Sequence, residues 1–171
     1  MTSSTAGHPF GVSRFARTRD GRMLHYMQRG SGEPTVVFES GMGFSRSLWG
    51  LVQPVVAQRT RAVVYDRAGF GRSDDSPRRR TLPQLADDLS DLLDALGAGP
   101  FILVGHSWGG PIVRTLAARH DHSILGLVLV DPSDEHWATD IRRTPAGSER
   151  SCTSCCRSSP GRACTPWPGR A

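Results

Sequence analysis

Residues 101–110, FILVGHSWGG, join an unbroken apolar run to a serine set among glycines. Phe101 to Val104 is a short apolar run of the kind that forms a buried strand in a parallel sheet. Gly105-His106-Ser107-Trp108-Gly109 then turns the chain, and Ile112, Val113, Leu116 and Ala117 follow at helical spacing, ending near His120. A serine at a sharp strand-to-helix turn projects its hydroxyl above the sheet, and the flanking glycines allow close backbone approach. The helix N-terminus behind it favours developing negative charge. A serine hydroxyl becomes a useful nucleophile once a base accepts its proton. Ser107 is therefore the candidate nucleophile; the plainer alternative is a small residue in a tight turn.

The same alternation of strand and helix extends both ways from this turn. Upstream, Phe15 to Thr18 and Met23 to Gln28 flank Asp20-Gly21, a tight-turn signal that predicts a hairpin. Thr35 to Glu39 (TVVFE) reads as a buried strand ending in the glycine-rich turn Ser40-Gly41-Met42-Gly43. Leu48, Leu51, Val52, Val55 and Val56 predict a helix, with Pro54 as a kink. Ala62 to Tyr65 (AVVY) is a second buried strand, followed by a loop over Arg67 to Pro77. Thr81-Leu82-Pro83-Gln84 has the form of a capping box, and Leu82, Leu85, Ala86, Leu89, Leu92, Leu93 and Leu96 share one helical face before Gly97. Asp87, Asp88, Asp91 and Asp94 fall mainly off that stripe and read as a solvated face. Ile124 to Val130 (ILGLVLV) is a fourth buried strand, ending at Asp131-Pro132. This order predicts the α/β class: a mostly parallel sheet with flanking helices, joined by right-handed crossovers. Function in such sheets gathers at the carboxyl ends of the strands, where Ser40, Asp66, Ser107 and Asp131 all fall.

Composition narrows the function further. The 171 residues are 37% hydrophobic and 22% charged, enough for one globular domain with a sizeable core. The net charge of +5 comes entirely from arginine on the basic side, and residues 1–147 carry 17 Arg against 15 acidic residues. That near-neutral body gives no reason to expect a nucleic-acid partner. No apolar run approaches the ~20 residues of a membrane span, and residues 1–10 lack a signal-peptide pattern, so the cytoplasm is the expected location. The cysteines, Cys152, Cys155, Cys156 and Cys164, sit among Ser, Pro, Gly and Arg without an aliphatic scaffold, so no metal site is expected. The expected organisation is an N-terminal segment with the first hairpin strand over residues 1–21, a core over 22–137, and a low-complexity, disordered tail over 138–171.

FESGMG, VVYDRAGFGRSD, LVGHSWGG and LVLVDPSDEH together resemble the α/β-hydrolase fold superfamily, over about Arg22 to His136. The resemblance implies an oxyanion hole made by the backbone N–H groups of Met42 and Trp108, although Ser40-Gly41 stands where many relatives have His-Gly. It implies that His106 packs structurally and that Asp66 and Arg67 fix a loop. His25, His120 and His122 are expected at the surface or an edge, far from the pocket. A triad in the order Ser, Asp, His is implied as well, but no further strand follows to present the last two groups. Asp131 is then the candidate acid and His136 the candidate base. The tail from Ser148 does not resemble the family, and a truncated member with altered C-terminal coding is expected. The implied activity is serine-dependent acyl-transfer hydrolysis of an ester, lactone or amide, acting on a small-molecule substrate with no cofactor. A serine at the turn argues against the aspartate-nucleophile branches, epoxide hydrolases and dehalogenases. The alternative is a catalytically inactive fragment or a non-enzymatic ligand-binding relic.

Overall fold

A tight turn at Asp20-Gly21 folds strand β1 (Val12–Arg17) back on β2 (Met23–Arg29), with Arg17 opposite Met23 and Val12 opposite Gln28. The computed structural model describes residues 8–119 and 122–133. The strands that follow are β3 (Thr35–Glu39), β4 (Ala62–Tyr65), β5 (Phe101–His106) and β6 (Ile124–Val130). They form one six-stranded sheet in the order β1-β2-β4-β3-β5-β6. The hairpin joins β4 antiparallel, whereas β4, β3, β5 and β6 run parallel to one another. The expected α/β architecture is therefore present, with an antiparallel hairpin at one edge.

Each central strand is buried on both faces, and its residues alternate between two cores. Val37, Val63 and Leu103 face helices α2 (Leu82–Leu96) and α3 (Gly109–Ala117), packing on Leu89, Leu92, Leu93, Ile112 and Leu116. Phe38, Val64 and Val104 face the other way, onto Phe10, Trp49 and Ala57. This two-sided burial explains why the strands read as continuous apolar runs.

Four local expectations change. The Leu48–Val56 stretch forms a 3₁₀ turn (Arg46–Trp49) and a single turn of helix, α1 (Gln53–Val56), and leaves Leu51, Val52 and Val55 exposed. Pro54 lies in the first turn of α1, where its missing N–H costs nothing, so it marks a start and not a kink. At the head of α2 the Thr81 hydroxyl accepts from the Gln84 amide, but the Gln84 side chain donates to Asp88 instead of closing the box. The aspartates of α2 are not all solvated. Asp88 is buried against the guanidinium of Arg22, and Asp91 accepts from the Arg19 amide and side chain. These pairs tie α2 to the hairpin. Asp87 pairs with Arg119, while Asp94 stays exposed.

Among the described residues no helix is long and apolar enough to cross a membrane. Among them, too, β6 has no neighbour on its outer side, so the strand expected to be buried instead leaves Leu125, Val128, Leu129 and Val130 exposed. An uncharged apolar edge is a template for pairing with another chain. Leu125, 65% exposed, is the place to interrupt it. Leu125→Lys is expected to reduce concentration-dependent light scattering while leaving unfolding free energy within about 0.5 kcal/mol. Unchanged scattering would show that association does not start at this edge.

Candidate active site

The turn after β5 is held by backbone bonds from three directions. Ser107 has φ 50°, a left-handed conformation that is uncommon for a residue with a side chain. Its N–H donates to the Val130 carbonyl at 3.1 Å, and its own carbonyl accepts from Gly110 and Ser133, each at 2.9 Å. β6 thus fixes one side of the turn and α3 the other. A strained residue pinned by its surroundings is the arrangement that functional sites use.

The Ser40–Gly43 turn closes over it. A methyl group at Gly41 would lie 3.3 Å from the Ser107 Cβ and 2.9 Å from the His106 Nδ1, so only glycine lets this loop sit so near the serine. Within the loop the Ser40 hydroxyl accepts from the Trp49 indole and donates to the Ser45 carbonyl, both at 3.1 Å. That bridge joins the two sides of the loop through Ser40. The amides of Met42 and Trp108 have no backbone hydrogen-bond partner among the described residues. A cavity of about 250 Å³ opens between these two residues and is lined also by Gly43, Arg67, Ala68, Phe70, Arg80 and Leu85.

Below the loop lies a buried polar cluster, most of which the sequence reading missed. Glu39 ends β3 and is fully buried; it accepts from the Tyr65 hydroxyl and from the Arg67 guanidinium. Arg67 also donates to the carbonyls of Ser40 and Gly41, so one side chain fastens both residues that precede Met42. Burial pushes the Glu39 carboxyl above its usual range, and Arg67 and Tyr65 offset part of that. The Tyr65 hydroxyl is held well above its ordinary value by the same burial and by the neighbouring carboxylate. A glutamate closing an otherwise apolar strand, with a Tyr-Asp-Arg run closing the adjacent strand, was the available signal.

The second anchor is Asp66, also fully buried. It accepts from His25 Nδ1 at 3.0 Å, from the Arg46 amide and guanidinium, and from the Arg72 amide. His25 is therefore not a surface residue: it is buried between Asp66 and the Ser13 hydroxyl, 2.7 Å from its Nε2. The loop-fixing part expected of Asp66 and Arg67 is visible in these contacts. His122 is partly buried near α2 and contacts the Ser90 hydroxyl at 2.9 Å, whereas His120 lies outside the described residues.

Of the remaining candidates, His106 faces the edges of Phe44 and Trp49, and its buried Nδ1 has no partner among the described residues. Asp131 follows the residue whose carbonyl holds Ser107, has φ 42° and is exposed. His136 lies outside the described residues, as do all four cysteines. The Ser107 hydroxyl has one described contact, a long 3.4 Å approach to the Ser133 hydroxyl.

A family profile described as the alpha/beta hydrolase fold matches residues 34–149. This chain belongs to that family. It is 37% identical to the uncharacterized protein YqjL of Bacillus subtilis over 118 residues, 68% of this chain and 47% of YqjL. It is 32% identical to a haloalkane dehalogenase of Sphingobium indicum over 133 residues, 75% of this chain and 44% of that one. Among solved structures it resembles a thermophilic esterase from Thermogutta terrifontis, with a TM-score of 0.67 and 28% identity, covering 78% of this chain and 51% of the esterase. The chain spans about half, or less, of the length of these proteins.

The His25–Asp66 pair gives a pH dependence with a defined sign. Burial depresses the imidazole pKa, and Asp66 opposes this only in part. The folded state therefore keeps His25 neutral where the unfolded chain, near the ordinary value of about 6.5, binds a proton. Its contribution is present above that value and is lost as the pH falls below it. Denaturant unfolding is expected to show stability dropping from pH 7.5 to 5.5, with a shallower drop in His25→Gln. Identical slopes would remove His25 as the cause.

Proposed function

We propose that the chain is a serine hydrolase that transfers the acyl group of an ester, lactone or amide to Ser107 and then to water. The observation that carries this reading is the left-handed Ser107 at the β5–α3 junction, directly beneath the glycine turn that precedes Met42. Attack by Oγ on the acyl carbonyl would form a tetrahedral oxyanion, and the amides of Met42 and Trp108 are the donors we assign to it. One such donor contributes about 3 kcal/mol of barrier lowering. The Glu39–Arg67 pair supports this role by fastening the carbonyls that precede Met42. A haloalkane dehalogenase is among the similar proteins, but the turn here carries a serine hydroxyl, whereas the dehalogenase branch is expected to use a carboxylate.

Asp131 and His136 are the acid and base we assign to this reaction. Asp131 follows β6, one residue beyond the carbonyl that holds Ser107. His136 is assigned from the sequence and lies outside the described residues. A second reading, a ligand-binding protein without turnover, draws on the contact at Ser107 itself: among the described residues a second serine approaches its hydroxyl, and no imidazole does.

Hydrolysis of p-nitrophenyl acetate decides between them. Under the enzymatic reading Ser107→Ala removes nearly all activity above the blank, and His136→Ala lowers it by about 10⁶-fold, as loss of the triad base does. Equal activity in Ser107→Ala would refute the nucleophile. Intact activity in His136→Ala would refute the base. No hydrolysis by the unaltered chain would favour the ligand-binding reading.

A further inference from the structure

We propose that the cavity between Met42 and Trp108 selects ligands carrying a carboxylate, and that Arg80 is the residue that reads it. The inference rests on taking this cavity as the substrate pocket. Its walls are mainly apolar, from Met42, Ala68, Phe70, Leu85 and Trp108, and two arginines, Arg67 and Arg80, complete the lining. Both lie over the Phe70 ring, with Arg67 Cζ 5.6 Å and Arg80 Cζ 5.1 Å from its centroid.

The two cations differ in what they are already doing. Arg67 is buried, and its charge is met by the Glu39 carboxylate and by two carbonyls. Arg80 is 47% exposed, and its acidic neighbour is Asp75, at 3.5 Å and 84% exposed. A long ion pair with so exposed a partner contributes little and exchanges easily. The ring of Phe70 steadies the Arg80 guanidinium without using its N–H groups. That leaves a planar fork at the wall of a small apolar pocket, the geometry that recognises a carboxylate bidentately. An apolar body with one carboxylate, about the size of phenylacetate, matches both the lining and the 250 Å³ of space.

The test compares phenylacetate with neutral 2-phenylethanol, which has no acyl bond to cleave, by calorimetric titration of the full chain at low salt. Phenylacetate is expected to bind about tenfold more tightly, with the preference shrinking at 0.5 M NaCl. Arg80→Gln is expected to abolish the preference while leaving the alcohol's affinity unchanged. Ser107→Ala is expected to keep it, so that failure of the nucleophile assignment and failure of this one are read separately. Equal affinities for acid and alcohol, or a preference that survives Arg80→Gln, would overturn the proposal.

Discussion

A methyl group placed on Gly109 would meet the Glu39 carbonyl oxygen at 2.5 Å. The first turn of α3 therefore presses against the end of β3 with nothing between the two backbones, and only glycine permits it. This contact sets much of what surrounds it. It brings the loop after β3 to the strand-to-helix turn after β5, and it leaves Ser107 at that junction in a left-handed conformation. The strain of that conformation is offset by the bonds that Val130, Gly110 and Ser133 make to the residue.

Two buried ionic clusters carry this constraint into the loops. Arg67 binds the Glu39 carboxylate and the two carbonyls that follow it, so the β3 loop cannot move without breaking a buried pair. Removing one partner of such a pair is far costlier than the pair's net contribution, because the other charge is left uncompensated. Asp66 does the same for the β4 loop, drawing the 3₁₀ turn through Arg46, the hairpin through His25 and the loop at Arg72 onto one carboxylate. The carboxyl ends of adjacent strands thereby present fixed backbone N–H groups and a defined pocket.

Features governed by local pattern were legible in the sequence, and features governed by pairing were not. The hairpin at Asp20-Gly21, the four apolar strands, the Thr81 cap and the Ser107 turn each follow from a few neighbouring residues. The Leu48–Val56 stretch misled because its apolar spacing is helical, while no surface among the described residues covers Leu51, Val52 or Val55. Asp88 and Asp91 lie off the leucine stripe and so read as solvated, but Arg22 and Arg19, some seventy residues upstream, fold back to meet them. His25 misled in the same way, since nothing near it in sequence announces Asp66. At the site, the turns at Ser107 and at Ser40–Gly43 were readable from neighbouring residues, while the part assigned to Met42 came from the family resemblance and the Glu39–Tyr65–Arg67 cluster depends on the register that sets the ends of β3 and β4 side by side.

The central claim is the proposal that Ser107, half-buried at its turn, is an activatable nucleophile, and covalent labelling tests it without depending on any choice of substrate. The chain would be treated with a fluorophosphonate and digested with trypsin, and the adduct located by tandem mass spectrometry in the peptide spanning residues 81–114, which contains Ser90 and Ser107. The account predicts one phosphonyl group on the Ser107 hydroxyl and none in Ser107→Ala. An unlabelled chain, or an adduct distributed over other serines, would contradict it.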